Sequence, residues 1–127
     1  HTKAEMYRAL LESIGFSLRE NLEHLARFGI KTDTLRAIGG GAKSDFFLQL
    51  KSDITRKIIE KPKVTEAAVF GAAILAAKGC GDFSSVEKCS EAMYKVDKTF
   101  KPDIGTYKKY REPFLDYIKL QRRVYKR

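Results

Sequence analysis

Leu35-Arg36-Ala37-Ile38-Gly39-Gly40-Gly41-Ala42-Lys43-Ser44-Asp45-Phe46-Phe47 is the stretch that decides the fold of this chain. A short apolar run meets three consecutive glycines. A small residue, a lysine, a serine and an aspartate follow, and then an apolar helical segment begins. This is the pattern of a strand that ends in a glycine-rich turn and feeds a helix. Such a turn lets backbone approach a bulky ligand closely, and the start of the helix favours anionic groups. Nucleotide binding is therefore the first functional expectation, set against the plain reading of a tight turn.

Upstream of the turn, Met6, Leu10, Ile14, Leu18, Leu22 and Leu25 fall at steps of three and four, which predicts one amphipathic helix over Lys3–Phe28 closed by Gly29. Gly15 inside it implies close packing on a neighbouring element, or a kink. Downstream, Ser44 or Asp45 is a good N-cap for a second helix with Phe46, Phe47, Leu50, Ile54 and Ile58 on its apolar side. Lys57–Glu60 reads equally as the end of that helix or the start of a strand, and Lys61-Pro62 is expected to break the segment. A third helix, Ala67–Lys78, opens at Thr65 or Glu66 and ends at Gly79 and Gly81. It is built of small residues: Ala67, Ala68, Gly71, Ala72, Ala73, Ala76 and Ala77. Such a helix can lie close to another backbone in a core or to a flat ligand. Ser84 with Glu87 predicts a capping box for a fourth helix, and Val96–Pro102 reads as extended. Tyr107, Tyr110, Phe114, Tyr117, Ile118 and Val124 mark a final helix whose tyrosines form a packing face, with Pro113 in its first turn or at a kink.

The 127 residues suit one domain or a piece of a larger one. With 43% hydrophobic and 32% charged residues the profile is globular. The longest apolar run, Ala67–Ala77, falls short of the ~20 residues a membrane helix needs. No signal peptide is visible, and a start at His1 is expected of an excised fragment or a processed product. Cys80 and Cys89 match no zinc or redox spacing, and His1 and His24 complete no ligand set, so reduced thiols in a cytoplasmic protein are expected. Of the net charge of +9, two thirds lies from Gly105 onward, where eight basic residues face only Glu112 and Asp116. Charge confined to one terminal helix is a solvated face rather than a nucleic-acid footprint.

The glycine turn matches neither common nucleotide loop. Lys43-Ser44 resembles the end of a P-loop, but Ala42 occupies the glycine position and no glycine lies five residues earlier. The dinucleotide fingerprint fails because its third glycine would fall at Ser44.

Several segments together resemble the C-terminal part of the FGGY carbohydrate kinases, members of the actin-like, ribonuclease-H-like ATPase superfamily. His1–Phe16 is similar to the end of the family's second signature. Gly39–Ser44 resembles its adenosine motif, and Phe46–Asp53, with Gln49 and Ser52-Asp53, its following helix. Glu66-Ala67-Ala68 with Gly71-Ala72-Ala73 resembles its E-x-x-x-x-G-A-A helix, and Pro102–Tyr117 its tyrosine-bearing end.

The resemblance implies an α/β fold, part of an actin-like lobe with mostly helices on a short sheet. Residues 1–104 would form the core of the C-terminal portion of the nucleotide-binding lobe, and 105–127 its terminal helix. It implies transfer of the γ-phosphoryl group of ATP to a sugar or polyol hydroxyl, aided by Mg²⁺. The backbone of Gly40, Gly41 and Ala42 would face adenosine, and Gly71 would admit close approach. Asp45 falls where relatives place a small polar residue near the adenine edge, and Lys43 either approaches phosphate or is solvated. The catalytic aspartate, the phosphate turns and the Mg²⁺ ligands are expected upstream of His1, so no catalytic or metal residue is assigned here and the fragment alone is expected to be inactive. The opening segment and the turn look more like xylulokinase-type members than glycerol kinases. Nucleotide and sugar are the implied partners, with no nucleic acid and no membrane, and a homodimer of the full-length enzyme is compatible with the resemblance. A chaperone-type actin-like ATPase and a basic nucleic-acid module using the tail are the alternatives.

Overall fold

The computed structural model describes residues 1–125. Helix α1 (Lys3–Arg27) starts at a capping box in which Thr2 and Glu5 satisfy each other's backbone N–H groups. It ends at Phe28, with Gly29 at φ +82° in the left-handed conformation that closes helices. Strand β1 (Thr34–Arg36) enters a 3₁₀ turn (Gly40–Lys43) and then α2 (Asp45–Thr55). Ser44 is the cap of α2, its hydroxyl accepting from Phe47 N–H at 3.3 Å. Arg56, in the left-handed region, turns the chain into β2 (Ile58–Pro62), so the ambiguous Lys57–Glu60 run is strand. Pro62 is its last residue rather than a break before it; at a strand end the missing N–H costs little.

Helix α3 (Ala67–Gly79) and α4 (Val86–Met93) form a hairpin, and β3 (Val96–Phe100) returns to the sheet. Ser85, not Ser84, caps α4. Its hydroxyl accepts from Lys88 N–H, so the expected box with Glu87 is displaced by one residue. The sheet order is β1-β2-β3, with β1 parallel and β3 antiparallel to β2. Two helices finish the chain, α5 (Ile104–Lys109) and α6 (Arg111–Tyr125), with Pro113 in the first turn of α6. The single helix expected over 105–127 is thus broken at Tyr110, and its last residues, Lys126 and Arg127, lie outside the described residues. Among the described residues no helix is long and apolar enough to cross a membrane.

The core forms where α1 and α2 cross and the tail closes over them. Phe16, Leu50, Ile54, Tyr110 and Phe114 are its buried members, with Leu11, Phe47, Tyr117 and Ile118 packed around them. Phe16 meets the rings of Tyr110 and Phe114 at 5.9 and 6.0 Å between centroids. The tyrosine face expected of the tail is this contact. Arg8 donates to Tyr110 Oη at 2.9 Å, which itself donates to Glu12 at 2.9 Å. The Arg19 guanidinium stacks on Phe114 at 4.1 Å.

Gly15 packs as expected, without a kink: a Cβ there would stand 2.6 Å from Ile54 Cδ1. The apolar stripe of α1 behaves otherwise. Met6, Leu10, Ile14 and Leu25 are exposed, and the helix turns Gly15 and Phe16 inward instead. The small-residue helix also departs from a core role. Of α3 only Ile74 is buried, while Val69 and Leu75 are 68% and 64% exposed. A helix apolar all round is normally enclosed, and here, among the described residues, α4 is its main neighbour.

Candidate functional site

The glycine turn is built by three different residues doing three different things. Gly39 takes φ +73° with an extended ψ, a conformation that only glycine adopts readily. Its N–H donates to Thr65 O at 2.8 Å, and its carbonyl accepts from Ala42 N–H at 3.0 Å. Gly40 has nothing of this chain within 4 Å of the place a Cβ would occupy. At Gly41 a Cβ would meet Lys51 Nζ and Phe47 Cε1, both at 3.6 Å, which is ordinary contact. Ala42 is fully buried beneath the turn.

Two links fasten the turn to the start of α3. One is the Gly39–Thr65 hydrogen bond. The other is an ion pair of 3.0 Å between Lys43 Nζ and Glu66 Oε1, both exposed, which is worth ~1 kcal/mol at most. Gly71, more than a turn further along α3, has open space where a side chain would stand. It lines a cleft of about 220 Å³ with Ile38, Pro62, Phe70 and Tyr94. The Arg36 guanidinium lies 4.0 Å over the Tyr94 ring, and Tyr94 Oη donates to Glu60 at 3.1 Å. Burial, and then Glu60, push the Tyr94 hydroxyl above its ordinary range. Gly40, Gly41, Lys43 and Asp45 do not line this cleft, and Ala42 lines a second groove beside β1. Arg36, Phe70 and Tyr94 escaped the sequence reading. The one available signal was the alternation in Leu35–Ile38, which sends Arg36 and Ile38 to the same side of the strand.

Asp45 sits at the start of α2 between two lysines. Oδ1 accepts from Lys61 Nζ at 2.8 Å and Oδ2 from Lys98 Nζ at 2.5 Å. Lys61 and Lys98 are direct partners across β2 and β3. Like charges so placed repel, and the carboxylate between them removes the repulsion. The hydrogen bond from Lys61, and then that from Lys98, hold the Asp45 carboxyl below its ordinary 3.8.

The family-like positions on α2 join strand to tail. Gln49 Nε2 donates to Asp53 Oδ1 at 2.8 Å and to Lys101 O at 2.9 Å. Ser52 Oγ contacts Lys57 O at 2.7 Å and Phe100 O at 3.2 Å. Asp53, nearly buried, accepts from Asp103 N–H at 2.9 Å. All three therefore fix where β3 leaves the sheet and α5 begins. Among the described residues no three His, Cys, Asp or Glu side chains converge on a point where a metal ion could sit.

Residues 1–80 match the model of the C-terminal domain of the FGGY family of carbohydrate kinases. Xylulose kinase of Staphylococcus epidermidis is 42% identical over 117 residues, which is 92% of this chain and 24% of that protein. The crystal structure of ligand-bound xylulose kinase from Lactobacillus acidophilus superposes with a TM-score of 0.83 at 28% identity, covering 98% of this chain and 25% of that one. Plasmodium falciparum glycerol kinase, solved with ADP, superposes with a TM-score of 0.71 at 31% identity, covering 88% and 23%. The chain thus spans about a quarter of the length of the relatives it matches. These matches displace the chaperone-type alternative, and with the strand–glycine turn–helix unit and the small-residue helix they place this chain in the FGGY family of carbohydrate kinases, in the C-terminal domain of that family.

Proposed function

We propose that this chain supplies the adenosine-side wall of a sugar kinase that moves the γ-phosphoryl group of ATP to a hydroxyl of its substrate. Residues 1–104 would be the core of the C-terminal portion of the nucleotide-binding lobe and 105–127 its terminal helix. The observation that carries the reading is the clasp between the glycine turn and α3. Gly39–Thr65 and Lys43–Glu66 hold two backbone surfaces together, and each presents a glycine, Gly40 or Gly71, with no side chain of this chain against it. Bare backbone of this kind admits a flat ring, and in the turn Gly40 and Gly41 can offer N–H groups, whereas Gly71, inside α3, offers only space. The ADP in the glycerol kinase relative is consistent with that use.

In this arrangement Gly40 and Gly41 meet the nucleotide through backbone, Ala42, expected beside them, instead supports the turn from beneath, and Gly71 gives the nucleotide room. Lys43 positions the turn through Glu66, and Asp45 positions the start of α2 through Lys61 and Lys98. Transfer of a phosphoryl group is mostly positioning and electrostatic stabilisation, aided by Mg²⁺. The base that accepts the sugar proton and the ligands of Mg²⁺ belong to the remaining length of such a kinase. Xylulose is the proposed substrate, from the identity to xylulose kinases. The proposed setting is cytoplasmic, with no nucleic-acid or membrane partner.

The test is steady-state kinetics on the full-length polypeptide that carries these residues, with ATP and xylulose, glycerol or gluconate. Gly71→Leu should raise the KM for ATP and leave that for the sugar unchanged. It should not destabilise the helix, because leucine is favoured over glycine inside a helix by ~1 kcal/mol and its Cβ would meet nothing within 4 Å at this position. Gly40→Val should raise the same KM. An unchanged KM for ATP in both variants would overturn the proposal, as would absence of sugar phosphorylation by the full-length protein.

A further inference from the structure

Among the described residues, Arg56 is the one residue other than glycine with a positive φ, +57°, where the chain turns from α2 into β2. Glycine suits this left-handed conformation, and residues with side chains disfavour it. The guanidinium kept at this corner borders a cleft of about 410 Å³, shared with Arg19, Lys57, Tyr107, Glu23 and Asp33. Both carboxylates of the cleft are engaged by other cations. Glu23 meets Arg19 Nε at 3.0 Å, and Asp33 meets Lys57 Nζ at 3.4 Å. Arg56 itself forms no ion pair among the described residues.

The cleft lies at the ends of β1 and β2 opposite the glycine turn: Asp33 immediately precedes β1, and Lys57 immediately precedes β2. Asp33 is fully exposed and Glu23 half exposed, so their two ion pairs are weak and open to exchange. Arg19 and Arg56 stand 5.0 and 5.8 Å from the centroid of one ring, that of Tyr107. With Lys57 beside them, three positive groups gather in one cleft against two carboxylates. Two donors there are also uncommitted. Arg19 Nη2 donates to Tyr107 Oη at 3.3 Å, and the phenolic proton has no acceptor among the described residues. Arg19 Nη1 is buried and has no hydrogen-bond partner among the described residues, where a buried charged group normally has one.

We propose that this cleft binds a phosphate group, free or at the end of a small ester. Arg56 supplies the planar fork that grips two phosphate oxygens, Lys57 a point charge, and Tyr107 Oη a further donor. A carboxylate has two oxygens and one charge, which one guanidinium satisfies. A phosphate has oxygens and charge enough to span the gathered cations. The volume leaves room for a small organic group beside it. The occupied cleft would join α1, the α2–β2 corner and α5. The inference does not depend on nucleotide binding at the glycine turn.

The experiment is modification of the full-length polypeptide that carries these residues by phenylglyoxal, which attacks exposed guanidiniums, with each arginine followed by peptide mass spectrometry. Inorganic phosphate and ribose 5-phosphate are the probes, against sodium chloride of equal ionic strength. Arg123, exposed on α6, is the control. Arg56 should react in chloride. Its rate should fall about tenfold at ten times the half-protecting phosphate concentration, while that of Arg123 is unchanged. Protection by ribose 5-phosphate at lower concentration than phosphate assigns the site to an ester; equal or higher concentrations assign it to free phosphate. Lys57→Met should lose the protection and Gly40→Val should keep it. Arg56→Gly should keep the parent's melting temperature in chloride, because glycine suits the left-handed corner. Equal reactivity of Arg56 with and without phosphate, protection by chloride, or loss of protection in Gly40→Val would overturn the proposal. So would an Arg56 that does not react in chloride, or a marked fall in melting temperature in Arg56→Gly.

Discussion

A methyl group added at Gly15 has nowhere to go. It would stand 2.6 Å from Ile54 Cδ1, with Ile54 Cβ and Cγ1 at an ordinary 3.6 Å, and Ile54 is completely buried. Two effects of Gly15→Ala oppose each other. Alanine is the better helix former by ~1 kcal/mol. Against that, Ile54 must leave its rotamer or α1 must back away from α2, and overpacking of this kind costs about 1–3 kcal/mol. The overlap is deep and the neighbour cannot swing into solvent, so the cost should win and leave a net loss of roughly 1 kcal/mol. Ile54→Val removes the offending Cδ1 and should by itself cost about 1 kcal/mol. In the double variant the new methyl fills the space Cδ1 vacated, and the helix gain is expressed without the clash. Its stability should return close to that of the parent, a favourable coupling of about 2 kcal/mol. Equilibrium unfolding of the chain in urea, followed by circular dichroism at 222 nm with the slope of the transition checked for constancy, measures all four corners of this cycle. Gly15→Ala raising stability by ~1 kcal/mol, with effects additive in the double variant, would refute the reasoning.

Asp45→Asn should leave Lys61 and Lys98 facing each other across the sheet. Because the folded carboxyl titrates below its ordinary 3.8, its contribution is present above that value and lost as pH falls through the lower folded pKa. The parent should therefore lose melting temperature on acidification below pH 3.8 more steeply than the variant, and 1 M salt should shrink the difference. Asp53→Ala should cost about 1–3 kcal/mol in the same urea assay, because Asp103 N–H loses its buried acceptor. Faster hydrogen exchange in α5 should accompany it; an unchanged exchange pattern would rule out the junction role. Tyr110→Phe should cost only about 1 kcal/mol, since Arg8 and Glu12 keep each other at 2.8 Å when the hydroxyl is removed.

The punctuation of the fold was legible because it depends on single residues acting locally. Ser44 caps α2, Gly29 closes α1, and Gly39 turns β1 into the 3₁₀ segment, each through its own backbone or one side-chain oxygen. The choice between Ser84 and Ser85 was not legible, because either hydroxyl can reach an N–H three residues on, and where the α3–α4 hairpin docks decides which does. The glycine turn and Gly71 could be marked as candidate site residues from type and order. That Gly71 lines a cleft from which Gly40 and Gly41 are absent could not, nor could the pairing of Lys43 with Glu66 or of Asp45 with two lysines 16 and 53 positions away.

By itself the sequence determined the kind of protein: strand, glycine turn, capped helix and small-residue helix in an order that identifies the kinase family. Such an order survives in a chain about a quarter of its relatives' length, because each signal lies within a few residues of itself. Only the tertiary structure decided which apolar residues face inward. Periodicity marks a stripe on α1 but does not say which neighbour covers it. Here Phe16 and Gly15 turn to α2 and the tail, while Met6, Leu10 and Ile14 stay open. Burial is set by the partner surface, and for this stripe no described residue provides one.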